Sequence, residues 1–463
     1  MAYRFNENTI ITDVTQFDAK GLGRASIQRE NKRGRVRKQH VTIPYTIPGE
    51  KVKATLVPPY RKQIAQLDEI IEPHPGRIEP QCQHFGRCGG CSWQYMSYET
   101  QLKEKTIQVQ RLLEEMEFDS SVVHPTIETE SAWHYRNKME FTFNKDGKLG
   151  LHEKGNFRKI IPLKTCLITS REMATVSMDI AKWAEKHRLS GYNKETKEGL
   201  LRHLMVRQSQ ATGEMMLALF ATERLGNSHR ALSDLTQQIK DKYPYVKSLL
   251  WLVNHDIADK VQAQEMHVLY GRDFIYDELG GYRYRLWYDT FFQTNAKQAE
   301  KLVNLAIEMA QPKETDKMID LFCGVGTFSL PFATRVSQLV GIEIVEASIQ
   351  SAKRNALDNG VSNTLFIAQD ARQGLRSVLE KFENPDLLLL DPPRSGAGGK
   401  VMRRIARSKP KRIVYVSCNP KTFATDIKEL VPFGYQLEVV QPVDLFPQTY
   451  HVECVSLLQR ETI

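Results

Sequence analysis

From Ile10 to about Ile71, short runs of alternating apolar and polar residues are separated by turn signals: "GLGRASI", "QHVTIPYTIPGE", "KVKATLV" and "IAQLDEIIE". Val41/Ile43, Val52/Ala54/Leu56 and Ile64/Leu67 fall on strand positions, and "IPGE" (Ile47–Glu50) reads as a turn. Four or five short strands in so brief a stretch predict a small closed β-barrel of the oligonucleotide-binding kind. "EPHPGRIEP" then reads as a stiff linker. The stretch Tyr95 to Met116 has helical spacing. Beyond it, "MEFTFN", "GKLGLHE", "LLRHLMVRQ", "EMMLALFA" and "SLLWLVN" read as strands, with helical stretches such as "REMATVSMDIAKWAEKH" between them. This pattern predicts an α+β region with an antiparallel sheet. From about Asp289 strands and helices alternate strictly: "AKQAEKLVNLAIEMA", "KMIDLF", "VSQLVGIEIV", "EASIQSAKRNALDNG", "TLFIAQD", "DLLLLDPPR" and "RIVYVSCNP". Such alternation predicts right-handed crossovers and a doubly wound parallel sheet. The expected domains are therefore 1–73, 74–288 and 289–463, and the overall class is α/β.

Composition changes this picture little. The 463 residues are 41% hydrophobic and 26% charged, as in ordinary globular proteins. The start "MAYRFNENTI" has no apolar core of a signal peptide, and no run approaches the ~20 apolar residues of a membrane span, so the expectation is a cytoplasmic protein without a membrane partner. Charge changes it more. The net excess of +9 is mild, but "RENKRGRVRKQH" (Arg29 to His40) holds six Lys/Arg and one Glu, which suits a polyanion. Seven cysteines, an odd number, argue against a disulfide framework in that compartment. Three of them, Cys82, Cys88 and Cys91, crowd together with five and two residues between them, and Cys166 in "LKTCLI" is a candidate fourth ligand. Spacing leaves a zinc site and an iron–sulfur cluster equally open.

The C-terminal region carries the chemistry. In "DLFCGVGTF" (Asp320–Phe328), Gly324 and Gly326 follow a strand and let the backbone approach a ligand closely. The turn is neither GxGxxG nor a phosphate loop ending in GK[ST], which disfavours NAD and ATP. Glu343 ends the next strand, placed for ribose hydroxyls, and Asp370 ends the third, near where an adenine would lie. Either acid alone is an ordinary solvated strand end; the three features in register fit S-adenosylmethionine (SAM). The fourth strand ends in Asp391-Pro392-Pro393-Arg394, where an arginine replaces the aromatic residue of amine methyltransferases. The fifth delivers Cys418. Beside a SAM site, a thiolate there can add to C6 of a pyrimidine and make C5 nucleophilic enough to accept a methyl group. A base must then remove the C5 proton, and "QTYHVECV" offers His451 and Glu453.

"FFQTN" (Phe291–Asn295), "DLFCGVGTF", "DPPR", "SCNP" and "HVECV" stand in an order and spacing that resemble the SAM-dependent RNA uracil-C5 methyltransferases. The resemblance runs along nearly the whole chain and is nearest to the 23S rRNA members with a TRAM barrel and an iron–sulfur site. It implies a TRAM-like, RNA-binding N-terminal barrel and a [4Fe–4S] cluster on Cys82, Cys88, Cys91 and Cys166. It further implies Cys418 as nucleophile and Glu453 as base, with Gln293, Phe322, Thr327, Glu343, Asp370 and Asp391 lining the SAM pocket. Thr327 and Asp370 depart from commonly seen choices, though both still accept hydrogen bonds. Cys323 and Cys454 are left to packing. The implied reaction gives 5-methyluridine in 23S rRNA, on a uridine flipped out or already unstacked in a loop, by a monomeric enzyme. Arg29 to Lys38 and Arg136/Lys138 are candidate phosphate contacts. The competing readings are the same chemistry on tRNA, a non-catalytic RNA-binding assembly protein, and a DNA cytosine methyltransferase. The last places its cysteine after proline, whereas here Pro420 follows Cys418.

Overall fold

The computed structural model describes residues 8–30, 36–59, 63–226, 229–257, 261–380 and 384–460. Strands β1 (Thr9–Phe17), β2 (Gly23–Glu30), β3 (Val36–Ile43), β4 (Lys51–Leu56) and β5 (Ala65–Glu72) form an antiparallel sheet in the order β3-β2-β1-β4-β5. The sheet curls until its ends meet, where Thr42 N donates to Gln63 O at 2.8 Å. Period-two alternation points Val14, Ala25, Val41, Ile43, Val52, Ala54 and Leu56 inward. Ile64, a strand position by the same pattern, sits on the seam just ahead of β5, 38% exposed, and Ala65 takes the interior place. Lys32, Arg33 and Arg35 of the basic run, with the side chain of Arg29, lie outside the described residues.

The linker is not a free hinge. The carboxylate of Glu50, fully buried, accepts from Ile47 N (2.8 Å), His74 N (3.2 Å) and Arg77 Nε and Nη2 (2.5 and 2.7 Å). Helix α1 (Tyr98–Glu114) starts three residues later than its periodicity predicts, because the Ser97 side chain accepts from Thr100 N and caps it. Next come β6 (Lys138–Phe143), β7 (Leu149–Glu153), β8 (Asn156–Pro162), α2 (Arg171–Lys186), β9 (Leu201–Gln208), β10 (Met215–Ala221), α3 (Arg230–Lys242), β11 (Val246–Val253) and β12 (Glu265–Gly271). Their sheet runs β12-β11-β10-β9-β6-β7-β8. It is antiparallel except between β10 and β11, which are parallel because α3 forms a crossover between them.

A hairpin of β13 (Phe274–Leu279) and β14 (Tyr282–Trp287) leads to α4 (Ala296–Ala310). The last sheet contains β15 (Lys317–Leu321), β16 (Gln338–Glu343), β17 (Thr364–Ala368), β18 (Leu387–Leu390), β19 (Arg412–Ser417), β20 (Tyr435–Val443) and β21 (Glu453–Arg460). Helices α5 (Ser329–Ala333), α6 (Glu346–Asp358), α7 (Ala371–Leu379), α8 (Gly399–Ser408) and α9 (Pro420–Lys428) alternate with its first six strands. The order is β17-β16-β15-β18-β19-β21-β20. All strands run one way except β21, which turns back between β19 and β20 because no helix separates it from β20. Both faces are covered, and Leu387–Leu390 reads as an unbroken apolar run because each of its residues is buried. One apolar core is continuous from Met205, Phe220 and Leu250 of the middle sheet, through the hairpin and α4, to Met318 and Val414. Among the described residues no helix is long and apolar enough to cross a membrane.

Candidate functional site

The carboxyl edges of β15, β16, β17, β18 and β19 line up side by side, so each strand end adds to one crevice. After β15 the chain bends sharply. Phe322 has φ 67° while its N–H donates to Ile342 O at 2.8 Å, and Gly324 and Gly326 also have positive φ. A non-glycine residue held there is strained, a condition that clusters at ligand sites. The backbone oxygen of Thr327, in the same turn, accepts from Tyr284 OH at 3.4 Å. Glu343 ends β16, with Oε1 accepting from Val345 N at 3.0 Å. Asp370 caps α7, accepting from Arg372 N at 3.0 Å and Gln373 N at 3.4 Å. Asp391 directly follows β18, and burial, then the Asp320 carboxylate, push its carboxyl up to about 7. Gln293 comes from outside the sheet, in the loop before α4, where its backbone oxygen accepts from Asn137 Nδ2 at 3.1 Å.

Asp320 was not singled out from the sequence. It is 1% exposed, accepts from Ser329 Oγ at 2.5 Å, and keeps Oδ1 without a hydrogen-bond partner among the described residues. Burial, with Glu343 adding to it, pushes its carboxyl up to about 7. An acid inside an otherwise apolar strand was the available signal. Arg207, buried on β9 and donating to Thr290 O at 2.5 Å just ahead of "FFQTN", had no signal in sequence. Arg136 Nε donates to Lys138 O at 3.0 Å, and Lys138 pairs with Glu140 at 2.9 Å.

Cys418 and Glu453 meet through strand register. β19 and β21 pair antiparallel as far as Ser417 opposite Cys454, and Cys418 and Glu453 are the adjoining residues on the two segments. The motif around the thiol has a local explanation: Ser417 Oγ accepts from Asn419 N at 3.1 Å, Asn419 caps α9, and Pro420 opens the helix. Asn419 Nδ2 also donates to Arg394 O at 2.9 Å, tying the two loops together. Burial pushes the Cys418 thiol up to about 12, helped by Glu453 and Asp391 and opposed by Arg394. Glu453, 3% exposed, is raised well above an ordinary carboxyl by burial and then Asp391, again opposed by Arg394. Arg394 Nη2 lies 3.4 Å from His451 Nε2. Burial, then Arg394, Lys105 and Arg136, hold the His451 ring down at about 4.

Cys82, Cys88, Cys91 and Cys166 line one pocket with His84, Phe85 and Leu151. All four are free thiols. Burial, chiefly, pushes Cys88 up to about 11 and Cys91 to about 12 and raises Cys166, and neighbouring cysteines add to each shift. Among the described residues no group of three or more His, Cys, Asp or Glu is arranged to hold a metal ion. Cys323 and Cys454 are buried elsewhere, beside the glycine turn and on β21.

A Rossmann-like sheet with a strained turn and acids along its carboxyl edge is the architecture of a methyltransferase. Residues 97–461 match the family model described as tRNA (Uracil-5-)-methyltransferase. An uncharacterised RNA methyltransferase of Caldanaerobacter subterraneus is 38% identical over 399 residues, 85% of this chain and 88% of its own. Another, from Bacillus cereus, is 35% identical over 421 residues, 89% of this chain and 90% of its own. The tRNA (uracil-54, C5)-methyltransferase of Pyrococcus abyssi, solved with S-adenosyl-L-homocysteine, matches with a TM-score of 0.76 at 26% identity, over 97% of this chain and 100% of that one. The chain belongs to the tRNA (uracil-5-)-methyltransferase family, and so to the RNA methyltransferases.

Proposed function

We propose that the protein transfers a methyl group from SAM to C5 of a uridine in 23S rRNA through a covalent Cys418–C6 intermediate, giving 5-methyluridine. The observation that carries this is the nearness of Cys418 and Glu453, each next to the last paired residues of β19 and β21, where the Glu453 charge acts on the Cys418 thiol and Arg394 acts on both. The Cys418 thiolate adds to C6, and the C5–C6 π electrons move into the O4 enolate. C5 then takes the methyl group of the sulfonium, and S-adenosylhomocysteine leaves. Glu453 removes the C5 proton; the C5–C6 double bond re-forms as the C6–S bond breaks, freeing the thiolate. Glu453 suits the base role better than His451, because its environment raises proton affinity whereas His451 is held at about 4. Gln293, Phe322, Thr327, Glu343, Asp370 and Asp391 would line the SAM pocket.

In this reading residues 1–73 form a TRAM-like RNA-binding barrel, 74–288 a cysteine-bearing middle and 289–463 the catalytic part. Cys82, Cys88, Cys91 and Cys166 fit a [4Fe–4S] cluster. Four free thiols face one pocket, burial makes the charge of Cys88, Cys91 and Cys166 costly without a cationic partner, and a four-iron cube spans more room than a single ion. The cluster would supply a cross-link between segments, since methyl transfer needs no electron from it. A second reading, the same chemistry on tRNA, is favoured by the match to the Pyrococcus tRNA enzyme over nearly the whole chain.

The test is a denaturing gel with labelled RNA and SAM. Cys418→Ala gives neither methylation nor an RNA–protein adduct, whereas Glu453→Gln holds methylated RNA as a retarded band. A normally active Cys418→Ala enzyme overturns the mechanism. Mapping 5-methyluridine in 23S rRNA and tRNA, from cells with and without the gene, separates the two substrates.

A further inference from the structure

The strap of residues 444–452 joins β20 to β21 and delivers Glu453. Irregular backbone with buried polar groups must find partners somewhere. Here they come from far outside the C-terminal sheet. Ser92 N and Trp93 N, directly after Cys91, donate to Gln448 O at 2.9 and 3.0 Å. Gln101 of α1 meets Gln448 reciprocally: its Oε1 accepts from Gln448 N at 2.9 Å and its Nε2 donates to Gln448 Oε1 at 3.2 Å. Lys105 Nζ donates to Asp444 Oδ1 at 2.6 Å and Phe446 O at 3.2 Å, and Tyr135 OH donates to Pro447 O at 3.0 Å. Gln448 is 4% exposed and has φ 66°, a strained backbone that persists only where its surroundings over-determine it. At the far end Tyr450 presses on Gly21 of the barrel, where an added Cβ would lie 2.3 Å from Tyr450 Cβ. Trp93 Nε1 completes the contact by donating to Gly21 O at 2.8 Å.

We propose that Gln101 and the Ser92–Trp93 backbone are positioning elements for Glu453, acting through Gln448, so that removal of the C5 proton depends on the order of the cysteine pocket. This rests on Glu453 being the base. Ser92 and Trp93 follow Cys91 in the chain, so loosening that cysteine frees two of the bonds on Gln448. Cys418 stands between β19 and α9, to which none of the Gln448 bonds runs; the strap reaches that side only through His451 beside Arg394.

The full-length protein tests this in three measurements: hydrogen exchange of the strap, the rate of adduct formation on 5-fluorouridine RNA, and the lifetime of the methylated adduct on ordinary RNA. Gln101→Leu should leave attack and SAM affinity unchanged, speed exchange in 444–452, and lengthen the adduct lifetime by about 100-fold, the scale of an ångström-sized misplacement. Gln101→Glu keeps an acceptor for Gln448 N and should fall between, which also serves if the leucine variant does not fold. Cys91→Ser should speed strap exchange in the same direction. Wild-type adduct lifetimes in both Gln101 variants, or equal slowing of attack and release, overturn the clamp. Glu453→Gln run alongside separates the failures: absence of an adduct there overturns the base assignment, whereas an adduct there with normal release in the Gln101 variants overturns the clamp alone.

Discussion

Burial raises the proton affinity of both the Cys418 thiol and the Glu453 carboxyl; Glu453 adds to the thiol's shift, Asp391 adds to both, and Arg394 is the cation that limits them. The Cys418 thiol at about 12 lies above the working range. Its thiolate fraction, and hence adduct formation on 5-fluorouridine RNA, should rise about tenfold per pH unit from about pH 6 to about pH 9. Release runs on a separate limb. It needs Glu453 deprotonated, so it is present above that raised pKa and is lost as pH falls through it. Lowering pH should therefore favour adduct over product on ordinary RNA, read as the band ratio on a gel. Arg394→Gln should push the thiol further up and shift adduct formation to higher pH, while Arg394→Lys keeps the charge and most of the rate. A pH-independent rate would show that attack does not depend on the thiolate.

Among the elements, α1 is the one that its sequence neighbourhood misrepresents. It sits in the first third of the chain, yet Val109 and Leu113 pack into the core beneath the C-terminal sheet. Lys105, on the same helix, is wholly buried against the equally buried Asp444, and burial lowers its pKa while Asp444 opposes the shift. Breaking such a pair leaves a charge alone in the interior, so Lys105→Ala should cost about 3–5 kcal/mol in denaturant unfolding. The double variant Lys105→Ala/Asp444→Ala should recover part of that loss, because neither charge is then stranded. Additive losses would show that the two residues do not couple.

For the molecule as a whole, the barrel packs on the same region that holds the strap. Phe17 and Ile47 share an apolar cluster with Trp93, Tyr95 and Met96, and Glu50 holds Arg77. Deleting residues 1–73 should weaken RNA binding and flatten its salt dependence, because phosphate contacts are lost. It should also lower thermal stability by baring Trp93, while SAM affinity stays the same. An unchanged salt slope would remove the barrel from RNA binding. Protein purified without oxygen should be brown, with about four iron and four sulfide per chain, and Cys88→Ser should bleach it. Stoichiometric zinc without sulfide would replace the cluster with a single-ion site.

Local pattern was enough for much of this. Alternation in "KVKATLV" set the inward faces of β4, the span of α4 follows from its apolar period, and strand-end motifs placed Glu343, Asp391 and Cys418 just where β16, β18 and β19 finish. These features depend on neighbours within a turn or a strand, which a short window contains. The burial of Asp320, the parallel pairing of β10 with β11 and the reversal of β21 depend on packing between distant segments. So does the meeting of Gln101 with Gln448 across 347 positions of chain. No local period encodes such a contact. It forms only once burial has brought both segments together and left each buried polar group in need of a partner.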